Sequence, residues 1–453
     1  MLFSGKILAQ ILNGSWKDGR EASVSGVFTD TRRDGSGLLF VALAGEKFDA
    51  HNFLDKAVQA GAAALCVRRG AAVPENIPAI EVDDTLQAYQ ALGAYKKQSI
   101  PGLKTFAVTG SVGKTSVKEM LRAIAGVASS PDSVLATEGN TNNHVGVPQN
   151  LLKLEEHHKF AVIEMGMNHA GEILPLTLTA KPDAAIVNSI APCHIEHLGS
   201  LEGIAIEKGT VFCGLPADGI AVIPAGLPQT SLLEKAAGGR KILYFGTTED
   251  CDVCAVYGGG KLEGSSFKLI FKGAGTFEIS WHLSGRHQAV NAAAAAAAAW
   301  GMGIAPEKIC AALPLTILPG MRSKITRLEG VTYINDAYNA NPASMAAALD
   351  YLEESAGNAP LVLLLGAMLE LGEKSSSAHG ELLKNVCERF PQAQIFTFGK
   401  PFEDAAKKYG VRFFEHPADA AEEVFSSVSA GGIVFAKGSR GIGVENALPD
   451  GAR

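Results

Sequence analysis

A lysine and a threonine set directly behind a glycine turn are equipped to hold phosphate. The segment Thr109-Gly110-Ser111-Val112-Gly113-Lys114-Thr115-Ser116 follows the apolar run Phe106-Ala107-Val108 and opens a helical stretch from Val117 to Ile124. Strand, glycine turn and helix start bring backbone N–H groups and the positive end of a helix dipole onto one anion. Lys114 can reach the β- and γ-phosphates of a nucleotide, and the Thr115 hydroxyl can ligate Mg²⁺. The spacing is Gly-x-x-Gly-Lys-Thr, half of the longer phosphate-loop pattern, with Val108 where that pattern begins on glycine. The flanking strand and helix favour nucleotide binding over an ordinary turn.

Further chemistry follows two more strands. The run Phe160-Ala161-Val162-Ile163 delivers Glu164 at its carboxyl end, where ligand sites of open α/β sheets lie. A carboxylate there suits a nucleotide-bound Mg²⁺, although capping a loop is its plainer use. After a strand over 184–189 come His194 and His197 in a loop. They point to zinc or to the neighbourhood of a phosphate or Mg²⁺ site, with no evident third zinc ligand. Lys208, on a helix expected over 201–211, reads from spacing alone as a solvated surface lysine. The stretch Asn140-Thr141-Asn142-Asn143-His144 is rich in side-chain amides, which usually mark turns and here also offer substrate contacts.

Three blocks are needed to position these residues. Residues 1–100 carry short strands over 26–31 and 38–43 and a helix near 53–60, and Ser99-Ile100-Pro101-Gly102 reads as a linker. Residues 101–313 alternate strands with helices, which predicts a mostly parallel sheet holding the phosphate turn. The eight alanines Ala292–Ala299 predict a smooth helix packed closely on that sheet. Residues 314–453 carry strands over 333–336, 361–365, 395–398 and 433–436, a second α/β sheet of Rossmann-like type. The fold class is therefore α/β in three domains.

Composition sets outer limits. The chain has 453 residues, 47% hydrophobic and 19% charged, with a net charge of −7 and no Lys/Arg block, which argues against a nucleic-acid partner. An acidic protein that takes an anionic substrate must gather its cations locally. Residues 1–16 lack the apolar core of a signal peptide, and the longest apolar stretch, 360–369, is too short to span a bilayer. Seven scattered cysteines suit a reducing cytoplasm, and the lone pair Cys251 and Cys254 reads as two free thiols.

Taken together, these segments resemble the Mur ligases, ATP-dependent amide-forming enzymes of peptidoglycan synthesis. The resemblance covers nearly the whole chain. It rests on Thr29-Asp30-Thr31-Arg32 and on Gly45-Glu46-x-Phe48-Asp49-Ala50-His51 in the first block. It continues through Gly110-x-x-Gly113-Lys114-Thr115-Ser116, Asn142-Asn143-x-x-Gly146-Val147-Pro148 and Glu164-Met165-Gly166-x-Asn168-His169. His194-x-Glu196 and Gly285-Arg286-His287-x-x-x-Asn291 follow. Asp336-x-Tyr338-Asn339-Ala340-Asn341-Pro342, Glu370-Leu371-Gly372 and Lys437-Gly438-Ser439-Arg440 complete it.

The resemblance implies a role for each block. The first would hold the UDP end of a UDP-MurNAc-tripeptide through Thr31, Arg32, Gly45, Phe48, Asp49 and His51. The second would hold ATP on Gly110, Ser111, Val112, Gly113, Lys114, Thr115 and Ser116, with Asn291 at the adenine. Thr115, Glu164 and His194 would serve Mg²⁺, joined by Lys208 as a lysine carbamylated by CO₂, a role the spacing alone does not give it. Arg322 and Asp336 would approach ATP across the domain cleft. Asn142, Asn143, Asn168 and His169 would contact substrate, and Asn339, Asn341 and Ser344 would line the side taking D-Ala-D-Ala. Lys114, Glu164, His194 and Lys208 form the implied catalytic set, and a monomer is expected.

Some positions depart from the family pattern. Gly366-Ala367-Met368 stands where the family commonly reads Gly-Asp-Met, His197 where glycine is common, and 441–453 lacks the usual terminal helix pattern. Competing readings are the relative that adds the third peptide residue, a folylpolyglutamate synthase, or a regulatory phosphate-loop protein. Phe48 to His51 and the Asn142-Asn143 segment favour the D-Ala-D-Ala branch. So does a 336–342 loop without an arginine to grip a diamino acid.

Overall fold

The computed structural model describes residues 3–45 and 48–453. Glu46 of the Gly45 to His51 segment lies outside the described residues. Three sheets follow one another along the chain. The first contains β1 (Ser15–Trp16), β2 (Gly26–Phe28), β3 (Leu38–Val41), β4 (Ala64–Arg68) and β5 (Ala79–Val82), in the order β1-β5-β4-β3-β2. Its strands β2 to β5 are parallel, and only β1 runs antiparallel. Strand β2 stops at Phe28 rather than running to Thr31, because the Asp30 carboxylate accepts the Arg32 N–H at 3.0 Å and turns the chain.

The second sheet has nine strands. These are β6 (Lys104–Thr109), β7 (Val134–Ala136), β8 (Phe160–Glu164), β9 (Ala184–Val187), β10 (Ile220–Pro224), β11 (Lys241–Gly246), β12 (Val253–Gly260), β13 (Ser265–Phe271) and β14 (Gly275–Trp281). Their order is β14-β13-β12-β11-β10-β9-β6-β8-β7. From β7 to β12 the pairing is parallel, and β12, β13 and β14 add an antiparallel meander. Strands β6, β8 and β9 are almost continuously buried because helices cover both faces.

The alanine run lies in the helix Arg286–Gly301, where Ala292 to Ala299 are all completely buried. With only methyl groups on this face, the helix packs closely on the sheet and on the helix Lys114–Ala128 behind the phosphate turn. That packing fixes the turn from below.

The third sheet contains β15 (Lys324–Leu328), β16 (Val331–Asn335), β17 (Leu361–Gly366), β18 (Gln394–Phe398), β19 (Arg412–Phe414) and β20 (Ile433–Lys437). The order is β15-β16-β20-β17-β18-β19, parallel except for β15. The strand expected over 333–336 is Val331–Asn335, which leaves Asp336 just beyond its carboxyl end. Ala367, in place of the aspartate common to the family, is completely buried and bonds through its backbone to Phe398. Residues 440–452 form three short 3₁₀ turns that bury Ala447, Leu448 and Ala452.

Candidate active site

The phosphate turn leaves β6 and enters the helix Lys114–Ala128 through Gly113, whose φ of 80° is left-handed. A Cβ there would sit 2.3 Å from Asn188 Nδ2 and 2.4 Å from Asn291 Oδ1, so only glycine fits. Neighbouring bonds hold the turn open. Ser111 N–H donates to the Ser189 carbonyl at 2.9 Å, and Val112 N–H donates to Ser189 Oγ at 2.8 Å. Asn188 Nδ2 donates to the Val112 carbonyl and to Asn291 Oδ1, each at 2.9 Å. The helix start carries no side-chain cap, which leaves its first-turn N–H groups to an anion. Lys114 Nζ donates to the Gly110 carbonyl at 2.8 Å, folded back over the turn it serves.

Two hard oxygens meet at the foot of this turn. Thr115 Oγ1 donates to Glu164 Oε2 at 2.8 Å, and Asn142 Nδ2 donates to Glu164 Oε1 at 2.9 Å. Both Thr115 and Glu164 are buried. Among the described residues no three His, Cys, Asp or Glu side chains converge to hold a metal. Mg²⁺ needs few protein ligands when phosphate and water supply the rest, and the Thr115–Glu164 oxygen pair fits that ion.

Lys208 is not a surface lysine. It is 1% exposed on the helix Leu201–Gly209, on the inward stripe that also carries Ile204, one turn earlier. Burial, reinforced by the charge of Lys114, pushes its ammonium down from 10.5 to about 7. The pair Ile204 and Lys208 was the signal in the sequence: the lysine repeats an apolar position at a helical spacing of four.

Loops of the third sheet close the other wall. Arg322 Nη2 donates to Thr115 Oγ1 at 2.9 Å, across 207 residues of chain. Asp336 accepts the Ser323 N–H at 3.0 Å and pairs at 2.5 Å with the buried Lys437, which fixes the chain beside Arg322. The Glu370 carboxylate lies against His194 Nδ1, and that contact holds the carboxyl below its usual range. The resulting cleft encloses about 370 Å³. Ser111 to Thr115, Asn142, Glu164, Asn168 and His194 line one side, and Arg322, Asp336, Asn339, Asn341 and Ser344 the other. A smaller adjoining cavity of about 140 Å³ is bounded by Ser116, His287, Gln288 and Asn291, beside Gly113.

Other candidates lie apart or are already engaged. Asn143 accepts the Val145 and Gly146 N–H groups and so caps a turn. Asn341 and Ser344 form a capping box on the helix Pro342–Ser355 while their surfaces face the cleft. The rings of His169 and His197 meet at a tilt of 39° with centroids 4.3 Å apart, outside the cleft lining. Thr31, Arg32, Gly45, Phe48, Asp49 and His51 follow the carboxyl ends of β2 and β3 in the first sheet, and none lines the cleft.

Within that first group the geometry is specific. Asp49 accepts from His51 Nδ1 at 2.6 Å and from Arg68 Nη2 at 2.7 Å, while His51 Nε2 accepts the Arg68 N–H at 3.0 Å. Arg32 forks onto Asp30 at 2.8 and 2.9 Å, and Phe48, 59% exposed, stacks on Phe53. The sequence reading assigned no role to Asn188, Ser189, Tyr338 or Lys437, although Tyr338 and Lys437 stand inside its quoted segments.

Comparison with known proteins matches this architecture. The family model "Mur ligase middle domain" fits residues 108–299, and "Mur ligase, glutamate ligase domain" fits 321–440. The chain is 40% identical over 374 residues to the UDP-N-acetylmuramoyl-tripeptide–D-alanyl-D-alanine ligase of Escherichia coli, covering 82% of this chain and 80% of that protein. A crystal structure of MurF from Acinetobacter baumannii superposes with a TM-score of 0.92 at 30% identity, covering 99% of this chain and 98% of that one. MurF from Thermotoga maritima, solved in complex with ADP, shares the fold at a TM-score of 0.81 and 24% identity, covering 93% of this chain and 96% of that one. The chain belongs to the Mur ligase family.

Proposed function

We propose that this protein is an ATP-dependent ligase that joins D-alanyl-D-alanine to a UDP-N-acetylmuramoyl-tripeptide, releasing ADP and phosphate. The observation that carries the reading is the cleft itself, where a phosphate turn of the middle sheet meets Arg322 and Asp336 from the third-sheet region. The E. coli relative carries the same activity in its name. Residues 1–100 would hold the UDP end, 101–313 ATP, and 314–453 the incoming dipeptide.

A carboxylate is a poor electrophile, so ATP must first phosphorylate it, and the amine of D-Ala-D-Ala then attacks the acyl phosphate. The N–H groups of Gly113 to Ser116 would cradle the phosphates, and Lys114 would swing from the Gly110 carbonyl to the transferring group. Arg322 would neutralise charge on the side facing Thr115. Asn291 and the cavity beside it would take the adenine. Asn339, Asn341 and Ser344 would meet the dipeptide. The contact between His194 and Glu370 would hold the two walls together and keep water from the acyl phosphate.

Thr115 and Glu164, with His194 nearby, would hold Mg²⁺, which supplies charge stabilisation for phosphoryl transfer. An amine with a pKa of about 7 is unprotonated in a substantial fraction at neutral pH, and the free amine is the form that captures CO₂. Carbamylation of Lys208 would turn a buried cation into an oxygen ligand. Seven free cysteines, and no helix long and apolar enough to cross a membrane among the described residues, fit a cytoplasmic enzyme. One chain supplies both walls of the cleft, in keeping with a monomer.

The test is ADP release from ATP and UDP-MurNAc-tripeptide, with and without D-Ala-D-Ala. Turnover that needs the dipeptide supports the assignment. Turnover with a single amino acid in its place, and none with the dipeptide, rejects it.

A further inference from the structure

Six side chains close a ring around the edge of the phosphate turn. Arg322 Nη2 donates to Thr115 Oγ1, which donates to Glu164, and Asn142 Nδ2 donates to the other Glu164 oxygen. Asn142 Nδ2 also reaches Asn140 Oδ1 at 3.3 Å, and the Tyr338 hydroxyl donates to that same oxygen at 3.0 Å. The Tyr338 ring then returns to the start, with its centroid 3.8 Å from the Arg322 guanidinium carbon. Four members belong to the middle-sheet region, Thr115 in the helix Lys114–Ala128, Glu164 at the end of β8 and Asn140 and Asn142 in a loop, and Arg322 and Tyr338 belong to the third-sheet region.

We infer that Tyr338 is a positioning residue whose ring holds the Arg322 guanidinium in place to meet the terminal phosphate of ATP. The inference rests on the ATP-dependent reading above and adds a residue to it.

The argument is one of donor economy. A guanidinium directs its N–H groups outward in its own plane. A carboxylate partner would occupy those donors, whereas an aromatic face holds the charge from above and leaves the edge free. Arg322 Nε has no hydrogen-bond partner, so the stack leaves that N–H uncommitted. Asp336, which would compete for the guanidinium, is engaged instead by Lys437 and the Ser323 N–H. The Tyr338 hydroxyl fastens the platform to Asn140, an exposed residue of the middle sheet, so the stack sits over the turn when the two walls meet.

The test uses binding by the full chain, titrating it with a non-hydrolysable ATP analogue and separately with ADP, both with Mg²⁺. Tyr338→Leu removes the aromatic face and is expected to weaken the ATP analogue about tenfold while ADP changes less than threefold. Tyr338→Phe keeps the face and is expected to hold both affinities within about twofold of the parent. Tyr338→Met, of similar reach but without a π face, gives the same reading should the leucine variant fail to fold. Equal losses for both nucleotides, no loss for either, or a phenylalanine variant as impaired as leucine would each overturn the inference. Because binding alone is read, absence of ligation with D-Ala-D-Ala would defeat the functional assignment without touching this result.

Discussion

Gly113 and Asn291 interlock: a Cβ on the glycine would lie 2.4 Å from the amide oxygen of Asn291, which is itself held by Asn188 Nδ2 at 2.9 Å. The turn that would bind phosphate and the niche that would bind adenine are thus built against each other. Gly113→Ala must displace that amide and also occupy a φ of 80°. Nucleotide affinity is expected to fall at least about a hundredfold, roughly 3 kcal/mol. Titration with ADP measures it, and a change under threefold would show that the turn tolerates the methyl group.

Thr115 and Glu164 share a hydrogen bond whose oxygens would face Mg²⁺. Glu164→Gln keeps the shape and removes the charge. The expected result is a loss of kcat of about a hundredfold or more, with a shift of the Mg²⁺ requirement to higher concentration. An unchanged Mg²⁺ dependence would remove Glu164 from the metal site.

Lys208 predicts a pH effect of defined sign. Its folded pKa, about 7, lies below the ordinary 10.5, so between these values the unfolded chain binds more protons and stability rises with pH. The cost of burying the ammonium is complete below about pH 7 and absent above about 10.5. Chemical denaturation from pH 6 to 9 in CO₂-free buffer is expected to show a rising midpoint, and Lys208→Met is expected to flatten the rise. Lys208→Ala should abolish ligation while nucleotide binding persists. Bicarbonate should raise the activity of the parent chain in CO₂-depleted buffer.

The alanine helix carries a stability prediction. Ala296 is completely buried in the core that joins this helix to the middle sheet. Ala296→Leu is expected to cost about 1–3 kcal/mol by overpacking, read from urea unfolding. A neutral result would mean that the helix can shift away from the sheet.

In the first block, Asp49 accepts from both His51 and Arg68, and the bonds from His51 lower its carboxyl pKa. That contribution is present above the ordinary carboxylate pKa and fades as pH falls through the lowered folded value. Asp49→Asn should raise the KM for the UDP substrate by about tenfold and leave the KM for ATP unchanged. Equal effects on both would place Asp49 outside the UDP site.

These sites differ in how legible they were beforehand. The phosphate turn and Glu164 were readable because each depends on a strand end and a few adjacent residues, and strand Phe160–Glu164 lies where its apolar run placed it. Lys208 reads as a surface residue only when taken alone; the apolar Ile204 one turn earlier marks the same stripe as buried. The meander β12 to β14 is not among the expected strands, although Phe267, Leu269 and Phe271 alternate with outward residues as a half-buried strand should. Arg322 meeting Thr115 could not be read from spacing at all, since 207 residues of folded chain intervene. The family resemblance brings Arg322 towards ATP across the cleft but does not give its contact with Thr115.

The central claim, transfer of phosphate from ATP to the tripeptide carboxylate, is tested most directly with oxygen-18 in that carboxylate. Amide formation through an acyl phosphate carries one labelled oxygen into the phosphate released with D-Ala-D-Ala. Phosphate free of label, while ADP accumulates, would mean that water and not the carboxylate takes the phosphoryl group.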